Sequence, residues 1–403
     1  GGTVMKGSTV SVREEAVRLN PQLVEWRRHL HAHPELGFET VDTAAFVVAR
    51  LKEMGVTEIR TGVAKNGVAA VIRGDLPGKV LGMRADMDAL PVQEETGLPF
   101  ASTVSGRMHA CGHDAHASML LGAARILVAH RSDLRGAVKL IFQPSEETAA
   151  GALAMIEDGV MENPKIDAFI GLHTGNFWTG VDAGEIGYSN GPLMAAADLF
   201  TITITGKGGH GATPHRTIDP IAIGCQVYTA LQTIVSREIS PLAPAVLTIG
   251  VFQSGSAGNI VPSDCVLKGT LRALSEETRR ELQVRIRAIS EDVAHAMRGR
   301  AAVEFHYGPP ATVNAPEMTA KLLRAAGAVV GPEKVREVDE PTMGGEDMAF
   351  FLEKAPGVFF FHPSTFGGGR DYPHHHPKFD VNEEVLWTGT GTMAQFALTW
   401  QDD

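Results

Sequence analysis

Cys111, His113, Asp114 and His116 fall within one short stretch, Met108-His109-Ala110-Cys111-Gly112-His113-Asp114-Ala115-His116. Thiolate, imidazole and carboxylate together suit a borderline divalent cation such as Zn²⁺. Cys111 and His113 are two positions apart, so an extended turn points both the same way. A free cysteine is commonly an inert buried thiol, but the density of donors around Cys111 reads as a ligand. Glu146 and Glu147 follow an apolar run and a proline. Adjacent glutamates project differently, so one can hold metal while the other faces substrate as a general base. His173 closes the apolar segment Phe169–Leu172, and Asp86 and Asp88 close another. Near the C-terminus stand His374, His375 and His376 followed by Pro377. Spacing does not choose among these three.

These groups are far apart in the chain, so secondary structure must gather them. Amphipathic periodicity predicts helices over 9–30, 41–54, 114–130 and 149–158. Apolar runs predict strands at 67–73, 80–84, 137–142 and 167–172. Strands alternating with helices predict an α/β layered fold with a largely parallel sheet. Ligands of such sheets gather outside the carboxyl ends of the strands, where Asp86, Asp88, Glu146, Glu147 and His173 fall.

From about residue 194 the pattern changes to β-α-β-β-α-β, with strands near 199–205, 245–253, 264–273 and 302–307 and helices near 218–237 and 276–298. This is the ferredoxin-like split. Ser275 is the expected N-cap of the second helix, with Glu276 and Glu277 in its first turn. A helix at 316–329 resumes the first pattern. The expected domains are therefore 1–193 with 309–403, and an inserted unit 194–308. Gly206, Gly208, Gly209 and Gly211 flank His210 in the insert and read as a loop that lets backbone approach a ligand. Gly344-Gly345-Glu346-Asp347 opens a helix, with anion binding and capping equally open. Phe177 and Trp178 are open between an acyl pocket and a surface packing pair.

With 36 basic against 47 acidic residues the net charge is −11. No dense Lys/Arg run supports a nucleic-acid partner. No apolar run reaches the length of a membrane span, and Gly1–Ser8 carry no signal-peptide core. Three cysteines are too few and scattered for a disulfide framework, which fits a reduced, cytoplasmic setting. Cys225, on an apolar helix face, and Cys265, in a strand, read as core. The count of 16 histidines and 44 glycines is high for 403 residues.

Several ordered motifs run nearly end to end: Arg27 to Leu36, Met83 to Pro91, Met108 to His116, Gln143 to Glu147, Gly171 to His173, Gly208 to Ala212, Gly344 to Asp347 and His375 to Pro377. In these the chain resembles the co-catalytic metal amidohydrolases that include hippurate hydrolase, N-acyl-amino-acid amidohydrolases and auxin-conjugate hydrolases, relatives of aminoacylase. The resemblance implies a three-layer α/β metallopeptidase domain carrying a ferredoxin-like lid and dimerisation domain, in a homodimer or homotetramer. It implies two divalent metal ions per subunit, Zn, Mn, Co or Ni, held by Cys111, His113, Glu147, His173 and His375. The His-x-Pro form selects His375. Glu146 is then the general base, and Asp88 orients a ligand imidazole. His210 stabilises the oxyanion, while Asn259 and Arg272 hold the substrate carboxylate. The implied substrate is a small N-acyl amino acid, cleaved at its amide bond. A dipeptidase or carboxypeptidase with the same metals is the alternative within enzymes. A non-catalytic metal-dependent binding protein is the alternative outside them. Retention of Glu146 beside a full ligand set favours an enzyme.

Overall fold

The computed structural model describes residues 11–403, so the reading of Gly1–Ser8 lies outside the described residues. The chain divides into two compact units. One comprises Gly1–Leu193, Val313–Thr342 and Asp347–Asp403; the other comprises Met194–Thr312 and Met343–Glu346.

The first unit is built on an eight-stranded mixed sheet. Its order is Glu58–Val63, Gly67–Arg73, Arg135–Gln143, Leu76–Asp86, Ala168–Gly175, Gly357–Pro363, Ile186–Tyr188 and Val335–Glu337. The four strands from Arg135–Gln143 to Gly357–Pro363 are mutually parallel. All eight residues of Ala168–Gly175 and all seven of Gly357–Pro363 are buried, as strands covered on both faces must be. Alternation sends their side chains into two separate layers. Ile170, Leu172, Val358 and Phe360 join one core with helices Arg13–Ala32, His113–Ala129, Pro316–Val330 and Leu386–Thr399. Phe169 points to the other face, where its ring meets Phe351 of helix Met348–Lys354 at 5.1 Å. The result is the three-layer α/β arrangement.

The sheet is less parallel than expected because Gly67–Arg73 is antiparallel to Arg135–Gln143 and Glu58–Val63 is antiparallel to Gly67–Arg73. The expected helix at 149–158 is shorter, Gly151–Glu157, and the first helix runs Arg13–Ala32. Arg27 fixes that first helix to the helix His113–Ala129. Its Nε lies 2.9 Å from Asp114 Oδ2, and both side chains are buried. His31 bridges Asp114 and Glu94, at 2.8 Å to each. The histidine-rich Arg27–Leu36 motif thus braces the loop that carries Cys111 and His113.

The second unit is a four-stranded antiparallel sheet in the order Ala245–Gln253, Asp264–Ala273, Ala196–Thr205, Arg300–Tyr307. Helices Pro220–Thr233 and Glu276–Ala296 complete the β-α-β-β-α-β split. Phe200, Ile202 and Ile204 alternate inward and pack with Ile223, Val227, Leu231, Leu282 and Ile286. Ser275 caps the second helix, its Oγ accepting the Thr278 N–H at 3.1 Å. Arg279 grips buried Asp198 with two parallel hydrogen bonds, 2.6 and 2.9 Å, tying this helix to the sheet.

Cys265 is core as expected, but Cys225 is exposed. The buried stripe of its helix is Ile223, Gly224, Val227 and Leu231, and position 225 falls off that stripe. Among the described residues no helix is long and apolar enough to cross a membrane.

Candidate metal centre

The site forms where the parallel strands of the first unit end. Leu76–Asp86 delivers Asp86 and then Asp88; Arg135–Gln143 runs into the turn of Glu146 and Glu147; Ala168–Gly175 carries His173 near its end. Between them comes the Cys111-Gly112-His113 turn. Gly112 sits at φ +82°, in the left-handed region, just before helix His113–Ala129. A Cβ there would run into the Thr174 side chain. Glycine therefore lets Cys111 and His113 face one centre.

The predicted imidazoles of His113, His173 and His375 each bring a ring nitrogen towards this cluster. A carboxylate oxygen can only accept, so His113 donates its Nδ1–H to Asp88 Oδ1 at 3.2 Å, and its Nε2 is directed at Asp86 Oδ2 and Glu147 Oε1. His173 donates Nδ1–H to the Thr174 carbonyl at 2.6 Å, and its Nε2 lies 3.8 Å from Cys111 Sγ. His375 is held at φ +70° by its N–H, which donates to the Ala110 carbonyl at 2.7 Å. Its Nε2 reaches to 3.3 Å from Glu147 Oε2. Glu147 Oε1 lies 3.5 Å from His113 Nε2, and Glu146 Oε2 lies 3.9 Å from the same atom. The two glutamates do project differently: Glu147 spans His113 and His375, while Glu146 approaches from one side. The other oxygen of Asp88 accepts the Glu147 N–H at 3.0 Å, so one carboxylate orients a ring and the glutamate turn together.

The three adjacent histidines have different partners. His376 Nδ1 accepts the Lys378 N–H at 3.0 Å, and the ring stacks on Tyr372. His374 Nε2 accepts the Asn176 N–H at 3.2 Å. Only His375 of the three brings a nitrogen to Glu147 within ion-pair reach. His116 is likewise engaged, with Nδ1 on Asp86 Oδ1 and Nε2 accepting the Thr174 N–H at 2.8 Å.

The donor set fits a metal. His113 Nε2, Asp86 Oδ2 and Glu147 Oε1 are buried and make no hydrogen bond, although 3.4 Å separates the first two and 3.5 Å the first and third. Converging unsatisfied donors at such spacing are costly unless a cation lies among them. Burial, then the carboxylates of Glu147 and Glu146, push the Cys111 thiol well above its usual range. A bound cation reverses that and favours the thiolate. Burial opposes charging of His113, but Asp86, Asp88 and Glu147 outweigh it and raise its pKa well above the ordinary imidazole range. Groups able to hold a metal include Cys111, His113 and His173, and Cys111, Glu147 and His375.

Sequence reasoning missed the support beneath this cluster. Buried Arg84 lies 3.4 Å from Asp86 and 2.8 Å from Asp347 Oδ1. Asp347 also accepts from Gln143 Nε2 and from the Ala152 N–H at 3.0 Å. Asp347 was expected at a helix start as a cap or anion site; its carboxylate instead joins two strand ends and a helix. The signal was an arginine inside an apolar strand, which needs a buried partner.

His210, Asn259 and Arg272 lie in the second unit. His210, on the short strand Gly209–His210, pairs with Ile260, and the Gly211 N–H donates to the Asn259 carbonyl at 2.8 Å. His210 Nδ1 accepts the Ala212 N–H at 3.0 Å, which leaves the ring proton on Nε2. A Cβ at Gly211 would lie 2.8 Å from the Asn259 carbonyl, and one at Gly208 would lie 2.7 Å from the Val261 carbonyl. These glycines thus serve the pairing of two backbones, where ligand approach was expected. Arg272, half-buried on Asp264–Ala273, makes no ion pair or hydrogen bond among the described residues. Trp178 is core, donating Nε1–H to the Leu193 carbonyl at 3.3 Å, whereas Phe177 stacks on His374.

Known proteins resemble this chain over most of its length. Residues 82–399 match the sequence model of Peptidase family M20/M25/M40. The chain is 43% identical over 369 residues to an N-acetyl-L-cysteine deacetylase of Bacillus subtilis, covering 91% of this chain and 85% of that protein. It is 38% identical over 396 residues to thermostable carboxypeptidase 1 of Saccharolobus solfataricus, covering 97% and 98%. A Bacillus subtilis crystal structure described as a dinuclear metal-binding peptidase of the M20 family superposes with a TM-score of 0.83 at 35% identity, covering 94% and 98%. Agreement over this much of the chain, at this identity, has one explanation in common descent: the chain belongs to Peptidase family M20/M25/M40.

Proposed function

We propose that the chain is a metal-dependent amidohydrolase that cleaves N-acyl amino acids to a carboxylate and a free amino acid. The observation that carries this is the convergence of unsatisfied, buried His113 Nε2 and Glu147 Oε1 beside Glu146, an acid left in position to move protons. Cys111, His113, Glu147, His173 and His375 would hold two divalent ions. When bound, such ions lower the pKa of water and polarise the amide carbonyl. Zn, Mn, Co and Ni all suit this mixed sulfur, nitrogen and oxygen set.

Glu146 takes a proton from the attacking water on its carboxylate and passes it to the departing amine nitrogen. Asp88 holds the His113 ring and the Glu147 amide through its two carboxylate oxygens. His210, protonated on Nε2, is the donor we assign to the developing oxyanion. Arg272, without a carboxylate partner of its own, is assigned to the substrate carboxylate through its planar fork, with Asn259. The second unit is assigned as lid and dimerisation domain of a cytoplasmic homodimer or homotetramer. The three free cysteines suit a reducing compartment.

Carboxypeptidase action is the second reading, favoured by the 38% identical relative of that name. Both readings use Arg272 for a terminal carboxylate, so substrates must separate them. Metal-free protein reloaded with each ion is assayed on N-acetyl, N-benzoyl and long-chain N-acyl amino acids and on unblocked peptides. Turnover confined to N-acylated amino acids supports the proposal; preference for unblocked peptides overturns it.

A further inference from the structure

Phe177 and His374 are absorbed by neither the hydrolytic scheme nor the core. We propose that His374 is a positioning residue whose Nδ1–H donates to the Cys111 sulfur and orients it as a ligand. The inference rests on the proposed metal centre, in which Cys111 is a ligand.

Geometry settles which nitrogen carries the proton. A backbone N–H can only donate, so the Asn176 N–H at 3.2 Å requires a lone pair on His374 Nε2. In the neutral ring the proton is then on Nδ1, which lies 3.4 Å from Cys111 Sγ. With both nitrogens engaged, His374 cannot itself bind metal. What it offers is a donor to sulfur.

The ring is clamped for that task. It stacks on Phe177 with centroids 3.7 Å apart and planes 5° from parallel, and it packs at 4.5 Å against Phe379. Asn176 also donates Nδ2–H to the Tyr372 carbonyl at 2.8 Å, which ties the strand end to the histidine loop. Gly175 sits at φ +121°, and a Cβ there would collide with the His374 ring. The backbone is thus shaped to admit the imidazole at this depth. A hydrogen bond to a thiolate fixes the direction of its remaining lone pairs and lowers their energy. Partners of this kind orient ligands and tune the bound metal.

The test uses the full chain loaded with cobalt(II), as wild type, His374→Phe, His374→Gln and His374→Asn. Phenylalanine keeps the stack and removes the donor. Glutamine reaches only the Nε2 position and removes the Nδ1 donor without an aromatic ring. Asparagine places an amide N–H near the Nδ1 position. The readouts are the energy of sulfur-to-cobalt charge-transfer absorption and the cobalt affinity in competition with a chelator. In the Phe and Gln variants cobalt stays bound, the band moves to lower energy, and affinity falls about 10- to 100-fold. The Asn variant returns both towards wild type. A band at the wild-type energy in the Phe and Gln variants overturns the proposal. Loss of the cobalt site in all three variants also overturns it, because His374 would then be a ligand. A wild type without any sulfur-to-cobalt band removes Cys111 as a ligand and the inference with it; the hydrolytic reading is decided separately, by the substrate panel.

Discussion

Replacing Asp88 by Asn probes how one buried carboxylate serves two donors. Asp88 accepts from His113 Nδ1 at 3.2 Å and from the Glu147 N–H at 3.0 Å. An amide has one acceptor oxygen, so one of these donors must face an NH₂ group. If the oxygen stays with Glu147, His113 must accept on Nδ1 and carry its proton on Nε2, where it blocks a metal. If the oxygen stays with His113, the Glu147 turn loses its anchor. Either way one hydrogen bond to a charged group is lost, about 1.5–3 kcal/mol. At 1.4 kcal/mol per tenfold that is roughly 10- to 150-fold in metal affinity. The assay is competition for zinc with a chromophoric chelator, alongside kcat in metal excess. An Asp88→Asn variant that matches wild type in both would refute the claim that Asp88 sets the tautomer of His113.

Other parts of the structure make independent predictions. Gly175→Ala forces a Cβ against His374 at a left-handed backbone position, and should lower unfolding free energy in urea by about 1–3 kcal/mol. Arg272→Lys keeps charge but not the bidentate fork, so kcat/KM for an N-acyl amino acid should fall by roughly 10- to 100-fold with metal content unchanged. Burial lowers the His362 pKa to about 4. Its stabilising contribution is therefore present above the unfolded value of about 6.5 and is lost as pH falls towards about 4, because the unfolded chain takes up the proton first. The change is on the order of 3 kcal/mol, and His362→Gln, which can still donate to the Val385 carbonyl, should lose less stability over that interval.

The grouping of the candidate residues was legible where they followed an apolar strand. Asp88, Glu146, Glu147 and His173 could be grouped because open α/β sheets gather function at one set of strand ends. Spacing does not distinguish the three histidines; the structure separates their surroundings, with the Asn176 and Lys378 amides donating to His374 Nε2 and His376 Nδ1. The β-α-β-β-α-β order of residues 194–308 was readable from the change of pattern, and the strand Ala196–Thr205 alternates along most of its length. The strand Gly357–Pro363 was missed although it is central, since its run of phenylalanines has no alternation to mark it. The helix Leu386–Thr399 was missed because Thr388, Gly389, Thr390, Gly391 and Thr392 have poor helix propensity. It forms because its neighbours require close approach: a Cβ at Gly389 would strike Met119, and one at Gly391 would lie 2.8 Å from Val329. Tertiary packing, absent from local pattern, decides that segment.

The central claim is that Glu146 moves the proton while its neighbours hold the metal. Glu146→Gln is nearly isosteric, keeps the turn, and removes only the basic oxygen. Metal content by elemental analysis and turnover of an N-acyl amino acid are measured on one preparation of this variant. The account predicts wild-type metal content with turnover reduced by at least about 100-fold. Near-normal turnover, at full metal occupancy, would contradict it.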